Sequence, residues 1–176
     1  DAYYNTVHDK IVAYPKGQQF RWTMLNLGKV HIKGIDVEAE ADCAVGRHLV
    51  ATIRAQYTYQ DARDVTDPAD SYYRHQIPYI PWHSGSAILG LSYRRWNLNY
   101  SFIYAGERYN QQENIKYNYM QPWYTSDLSL SKVVRGKRLE VRAMLEVNNL
   151  FSQDYDVILN YPMPKRNYAI TLDLKI

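Results

Sequence analysis

The sequence lacks most of the features by which soluble enzymes and helical membrane proteins are recognised. It has one cysteine, Cys43, so no disulfide can form within the chain. No apolar run approaches the roughly 18 residues that a membrane helix needs, and the mean hydropathy is negative. A helical membrane protein is thereby excluded. A membrane barrel is not, because its strands average to polar when one face lines water. CxxC, HExxH, GxSxG, P-loop and GxGxxG spacings are all missing, so no enzyme activity and no cofactor are expected. His31, His75 and His83 stand at no ligand spacing and read as solvated histidines, so no metal site is expected. Neither sign of charge prevails: the net charge is +3 with 22% charged residues, which argues against disorder and against a nucleic-acid partner. The chain opens at Asp1 with no visible targeting segment.

Phenylalanine is scarce at 3, whereas tyrosine reaches 18 with 4 tryptophans beside it. Rings with a polar tip suit half-wet positions at interfaces. The last stretch, RNYAITLDLKI, sets the pattern: Tyr168, Ile170, Leu172, Leu174 and Ile176 alternate with Ala169, Thr171, Asp173 and Lys175. A strand sends successive side chains to opposite faces, so one face is apolar and the other wet. The same period of two runs from about Lys29 to Val45, Leu49 to Gln60, Trp82 to Tyr93, Trp96 to Tyr104, Tyr124 to Arg135 and Leu139 to Asn148. Asp1 to Tyr14 is a further strand candidate, closed by the turn cluster Pro15-Lys16-Gly17. At Gly34 the pattern changes phase, which predicts a bulge or bend.

About eight antiparallel strands result. Short corners at Gly46, Arg94 and Gly136 alternate with longer loops near 15–28, 61–81, 106–122 and 149–165. Loop lengths segregated to two rims are the layout of a transmembrane β-barrel. The wet faces, with Asp36, Glu38 and Glu40 on one strand and Glu140, Arg142 and Glu146 on another, are too charged for a dry core and read as a hydrated lumen wall, joined by Arg54 and Lys175. Leu98, Phe102, Leu128, Val141, Leu145, Leu172 and Leu174 are then expected to face lipid, and Cys43 to be a small apolar residue facing lipid or a partner. Tyr57, Tyr59, Tyr104, Trp123 and Tyr124 read as an aromatic girdle on one rim, with Tyr93 and Trp96 on the other.

At the C-terminal end, VNNLFSQDYD followed by YPMPKRNYAITLDLKI resembles the close of TonB-dependent outer-membrane receptors. The residues that carry the resemblance are Asn149, Leu150, Phe151, Asp154, Tyr155, Pro162, Pro164 and Arg166. NLGKVHIKGIDVEAEA, TYQDARD and IPYIPWH are similar to further segments of that family. The resemblance implies an outer-membrane location and a 22-stranded barrel of which residues 1–176 are the C-terminal portion. It also implies a plug outside this chain through which TonB would act, a small nutrient ligand (an iron–siderophore complex, haem, a corrinoid or a glycan), and recognition of the last strand by the barrel-assembly machinery. That family usually ends in Phe or Trp, where this chain has Ile176. Tyr72, Tyr73, Arg74, His75 and Tyr109 are the candidate ligand contacts in the outer loops. The alternative reading is a self-contained eight-stranded barrel with a structural or adhesin role, which would pair its first strand with its last.

Overall fold

The computed structural model describes residues 1–16 and 21–175. Ten strands follow in chain order: β1 (Ala2–Lys16), β2 (Arg21–Val45), β3 (Leu49–Asp64), β4 (His83–Tyr93), β5 (Trp96–Ala105), β6 (Arg108–Tyr109), β7 (Tyr119–Met120), β8 (Trp123–Arg135), β9 (Glu140–Asn148) and β10 (Asn167–Lys175). Eight form one antiparallel sheet in the order β1-β2-β3-β4-β5-β8-β9-β10, while β6 and β7 make a short ribbon inside a loop. The sheet is open. β1 and β10 lie at its opposite edges and do not pair, as a closed eight-stranded barrel would require.

Directly paired residues share a face, so the register traces each surface across the sheet. One row runs Cys43, Ala51, Leu91, Leu98, Leu130, Leu145, Ile170. Phe102, Leu128, Val141, Leu172 and Leu174 fall on that same face, together with Tyr168. A parallel row on the other face runs Asp42, Thr52, Gly90, Asn99, Ser129, Glu146, Ala169. The wet face carries the expected ladders. Arg54 bonds Glu40 at 2.7 Å, Lys175 lies opposite Glu140 and Asp173 opposite Arg142. No second layer covers the apolar face among the described residues: Leu145 is 54% exposed and Ile170 74%. A soluble sandwich would bury those side chains, so the uncovered belt fits contact with lipid.

Three expectations need correcting. The long loop expected near 15–28 is mostly strand, because Pro15 and Lys16 pair with Trp22 and Arg21; Gly17 lies outside the described residues. Asp61 to Asp64 belong to β3 and not to a loop, being paired with Lys33 to Val30. Gly34 is no bulge, since the ladders to β1 and β3 run through it without a skipped residue. What changes there is which face is apolar. Ile35, Val37 and Ala39 serve the outer belt, whereas Val30 and Ile32 serve a small buried cluster with Leu27, Ala62 and Ile77 on the other side. The break in the backbone is six residues away, where the ladder skips Asp9 and Gly28 and Asp9 takes a left-handed φ of 52°. This lets Leu25 and Leu27, of opposite parity to Val30 and Ile32, join the same cluster.

Candidate outer mouth

The short turns at 46–48, 94–95 and 136–139 lie at one end of the sheet, with Gly46 and Arg94 at φ 67° and 56° as tight reversals demand. Loops 65–82, 106–122 and 149–166 gather at the other end and hold one another. The first runs back along β3, its Ile77 N–H donating to Ala62 O at 3.1 Å and Asp64 N–H to His75 O at 3.0 Å. Gln76 and Asn114 exchange bonds, N–H to Oδ1 at 2.6 Å and Nδ2 to O at 3.1 Å. The Tyr72 hydroxyl donates to Glu113 at 3.1 Å, and the His75 ring meets Gln112 O at 3.0 Å. Nearly all of these partners are polar because backbone groups buried in loops must be satisfied by something.

Arg108 ties the second loop to the third. It is 3% exposed, and its guanidinium reaches Asp156 O at 2.7 Å and Gln121 O at 3.2 Å, with Gly106 O and Val157 O each at 3.4 Å. Burial lowers its pKa from the ordinary arginine value. Sequence reasoning missed this residue. A lone Arg in a loop gives no sign that a planar five-donor group will be spent on carbonyls.

The third loop is rooted by Asn149, buried, at φ 50°. Its N–H donates to Asp127 at 2.7 Å, its amide donates to Gln153 O and Pro164 O, and its Oδ1 accepts from Gln153 N–H. Arg166 closes the loop by donating to Leu150 O at 2.9 Å. Asparagine is well suited here, tolerating the left-handed backbone while offering both donor and acceptor. Trp123, expected in the outer girdle, pairs with Ala105 and so faces the wet side, where it stacks on Tyr155 with ring centres 4.6 Å apart. It lines two adjoining clefts. One, of about 350 Å³, adds Met120, Tyr155 and Leu159; the other, of about 360 Å³, adds Trp22, Tyr79 and Arg108. The Trp123 indole N–H is buried without a hydrogen-bond partner among the described residues.

The family model described as "TonB dependent receptor-like, beta-barrel" matches residues 1–150. The chain belongs to that TonB-dependent receptor barrel family. Its members are outer-membrane receptors and transporters, not enzymes. Solved receptor structures share the fold. The ferric preacinetobactin receptor BauA of Acinetobacter baumannii aligns with a TM-score of 0.69 at 16% identity, covering 97% of this chain and 26% of that one. The ferric yersiniabactin uptake receptor FyuA of Yersinia pestis gives 0.60 at 15% identity, covering 98% and 26%. The FrpB iron transporter of Neisseria meningitidis gives 0.55 at 15%, covering 96% and 27%. The chain thus spans about a quarter of the length of the receptors it matches.

Within this receptor barrel the candidate contacts do not form one patch. Tyr72 and His75 are spent on bonds to loop 106–122, and Tyr109 packs edge-on against Tyr119 with centres 6.0 Å apart. Arg74 lies over the Tyr73 ring at 5.6 Å and turns to a cleft on the outer side of β3. Tyr168, Ile170, Leu172 and Leu174 stand exposed along the edge strand β10; Ile176 lies outside the described residues.

Proposed function

We propose that this chain is one sector of a larger, 22-stranded receptor barrel that takes up iron bound to a siderophore. The observation that carries the reading is the eight-stranded sheet with β1 and β10 unpaired at opposite edges. Such edges call for neighbouring strands, because unpaired N–H and C=O groups are costly in a bilayer. The long loops face the cell exterior and the short turns the periplasm. The mouth supplies the ligand surface: Trp123, Tyr155 and Met120 for stacking, with Tyr72, Tyr73, His75 and Tyr109 in the surrounding loops, while Arg74 turns away to the outer side of β3. The wet wall faces a plug contributed from outside these residues, through which TonB acts, and β10 is the strand presented to the barrel-assembly machinery. The iron complex is favoured over a corrinoid or a glycan because the three structural relatives are described as receptors or transporters of iron.

The test uses the intact receptor in cells deprived of other iron receptors. Growth under iron limitation is expected on a ferric siderophore and only when TonB is present. Uptake of a corrinoid or glycan, with no ferric siderophore supporting growth, overturns the ligand class; growth without TonB overturns the coupling.

A further inference from the structure

Just beyond the apolar belt, on the same face, β2 and β3 stop presenting apolar side chains and present cations. Ile35 pairs with Tyr59; the next pair on that face is Lys33 with Asp61, then His31 with Arg63. At about 3.3 Å per residue these stand roughly 7 and 13 Å along the strands from the last apolar pair. Loop 65–82 delivers Arg74 to the same place, its N–H bonded to Asp64 O at 2.7 Å and its carbonyl accepting from Arg63 at 3.4 Å. Lys33, Arg63, Arg74, His31 and Tyr4 surround a cleft of about 410 Å³ with Asp61 in its lining.

Asp61 is 5% exposed at its side chain and takes Lys33 at 3.3 Å and Arg63 at 2.7 Å. Those ion pairs account for one positive charge. Three cations against one carboxylate leave Lys33, Arg63, Arg74 and Asp61 together at +2, and Arg74 makes no ion pair among the described residues. Arginine forks and a lysine ammonium beside one another match the oxygens of a phosphate monoester. The cleft opens on the belt side, at the depth of lipid headgroups, whereas a soluble ligand would arrive at the mouth on the other face.

We propose that this cleft binds a phosphorylated lipid headgroup of the surrounding leaflet. The inference rests on the outer-membrane barrel reading with the long loops outside, in which case the lipid is the phosphorylated glycolipid of the outer leaflet. Bound there, it bridges β2, β3 and the arm of loop 65–82, and so braces the loop that carries Tyr72 and His75.

The intact receptor is placed in phosphatidylethanolamine nanodiscs doped with bis-phosphorylated or with dephosphorylated lipid A, and retained lipid is read by native mass spectrometry. The phosphorylated form is expected to bind the wild type preferentially. K33Q/R63Q/R74Q should lose about 100-fold in affinity for it, three basic side chains at about fivefold each. Because that variant removes the partners of buried Asp61, R74Q alone is measured too, with an expected loss of about fivefold. K137Q/R138Q, at the opposite rim, should change nothing. Equal binding of the two lipids by a receptor that fractionates with the outer membrane overturns the headgroup site and leaves the barrel standing. Full retention in R74Q and the triple variant, an equal loss in K137Q/R138Q, or displacement by millimolar inorganic phosphate also overturns it. A receptor absent from the outer-membrane fraction overturns both readings.

Discussion

At the scale of single residues, Gly34 carries a constraint that its place in a strand pattern conceals. A Cβ built there would stand 2.5 Å from Tyr59 O and 2.6 Å from the Tyr3 hydroxyl oxygen. Tyr3 is its direct partner across the β1–β2 ladder, so the tyrosine ring lies over the glycine and takes the space a side chain would occupy. A glycine that reads as an interruption is therefore the seat of an aromatic side chain. Gly34→Ala is expected to destabilise the folded sheet by about 1–3 kcal/mol, since a backbone carbonyl cannot move aside as a side chain could. Urea unfolding in lipid vesicles measures this, and an unchanged midpoint would contradict it. The glycine itself was legible in the sequence, but its reason was not, because Tyr3 and Tyr59 reach it from two other strands.

At the scale of elements, the three long loops form one assembly held by polar pairs, with one phenol–carboxylate bond between loops 65–82 and 106–122 and another within 106–122. Tyr72 donates to Glu113 and Tyr119 to Glu107, each at 3.1 Å. The Tyr72 phenol is held above its ordinary value of about 10 chiefly by that hydrogen bond, and the Tyr119 phenol chiefly by burial and then by Glu107. A phenol whose folded pKa is raised contributes stability that is complete below the unfolded value and is lost as pH rises through the folded one. Protection of the 106–122 amides, measured as exchange relative to the unfolded chain at the same pH, should therefore hold up to about pH 9 and fall once the medium passes pH 10. Tyr72→Phe should flatten part of that fall. Orientation belongs to this scale as well. A cysteine at Asp67, exposed in loop 65–82, should react with an impermeant maleimide on intact cells, and one at Lys137 in the turn after β8 should not; the opposite outcome would invert the barrel. Arg108 is unsuitable for such a test because it is buried under its four carbonyl partners.

At the scale of the whole molecule, the apolar face is a belt continued through seven strands. From Ile35 to Val45 it covers about 33 Å of strand, which a tilt of about 40° reduces to roughly 25 Å, the height of the apolar band of an outer-membrane barrel. Tyr57 and Tyr59 meet His83 at its upper edge, the Tyr57 hydroxyl 2.7 Å from the His83 ring nitrogen. Lys132 over Trp96 at 4.4 Å and Arg94 over Tyr93 at 5.4 Å mark the lower edge, where long cations reach water. Ser126, a polar residue on this face, is bonded to the Tyr100 hydroxyl at 2.9 Å. Leu145→Arg, near the middle of the belt, should cost about 2–4 kcal/mol of unfolding free energy in lipid. A change below about 1 kcal/mol would place Leu145 nearer an interface or away from lipid.

The alternation of side chains by itself determined the strands, their order of turns and loops, and which residues share a face. Those properties are local, since a period of two is set by backbone geometry wherever the chain is extended. The C-terminal resemblance rested instead on particular residues, of which Asn149 and Arg166 prove to be the clamp at the root of the third loop. Only the tertiary structure decided that the sheet stays open, that Trp123 faces the mouth, that Arg108 is buried, and that the change of phase at Gly34 passes without a bulge. Each of these depends on residues far apart in sequence meeting in space: β1 and β10 at opposite edges, Tyr155 over Trp123, Asp156 beneath Arg108, Ile77 against Val30. A local period holds no record of such meetings, because burial is a property of what the loops bring down onto a strand.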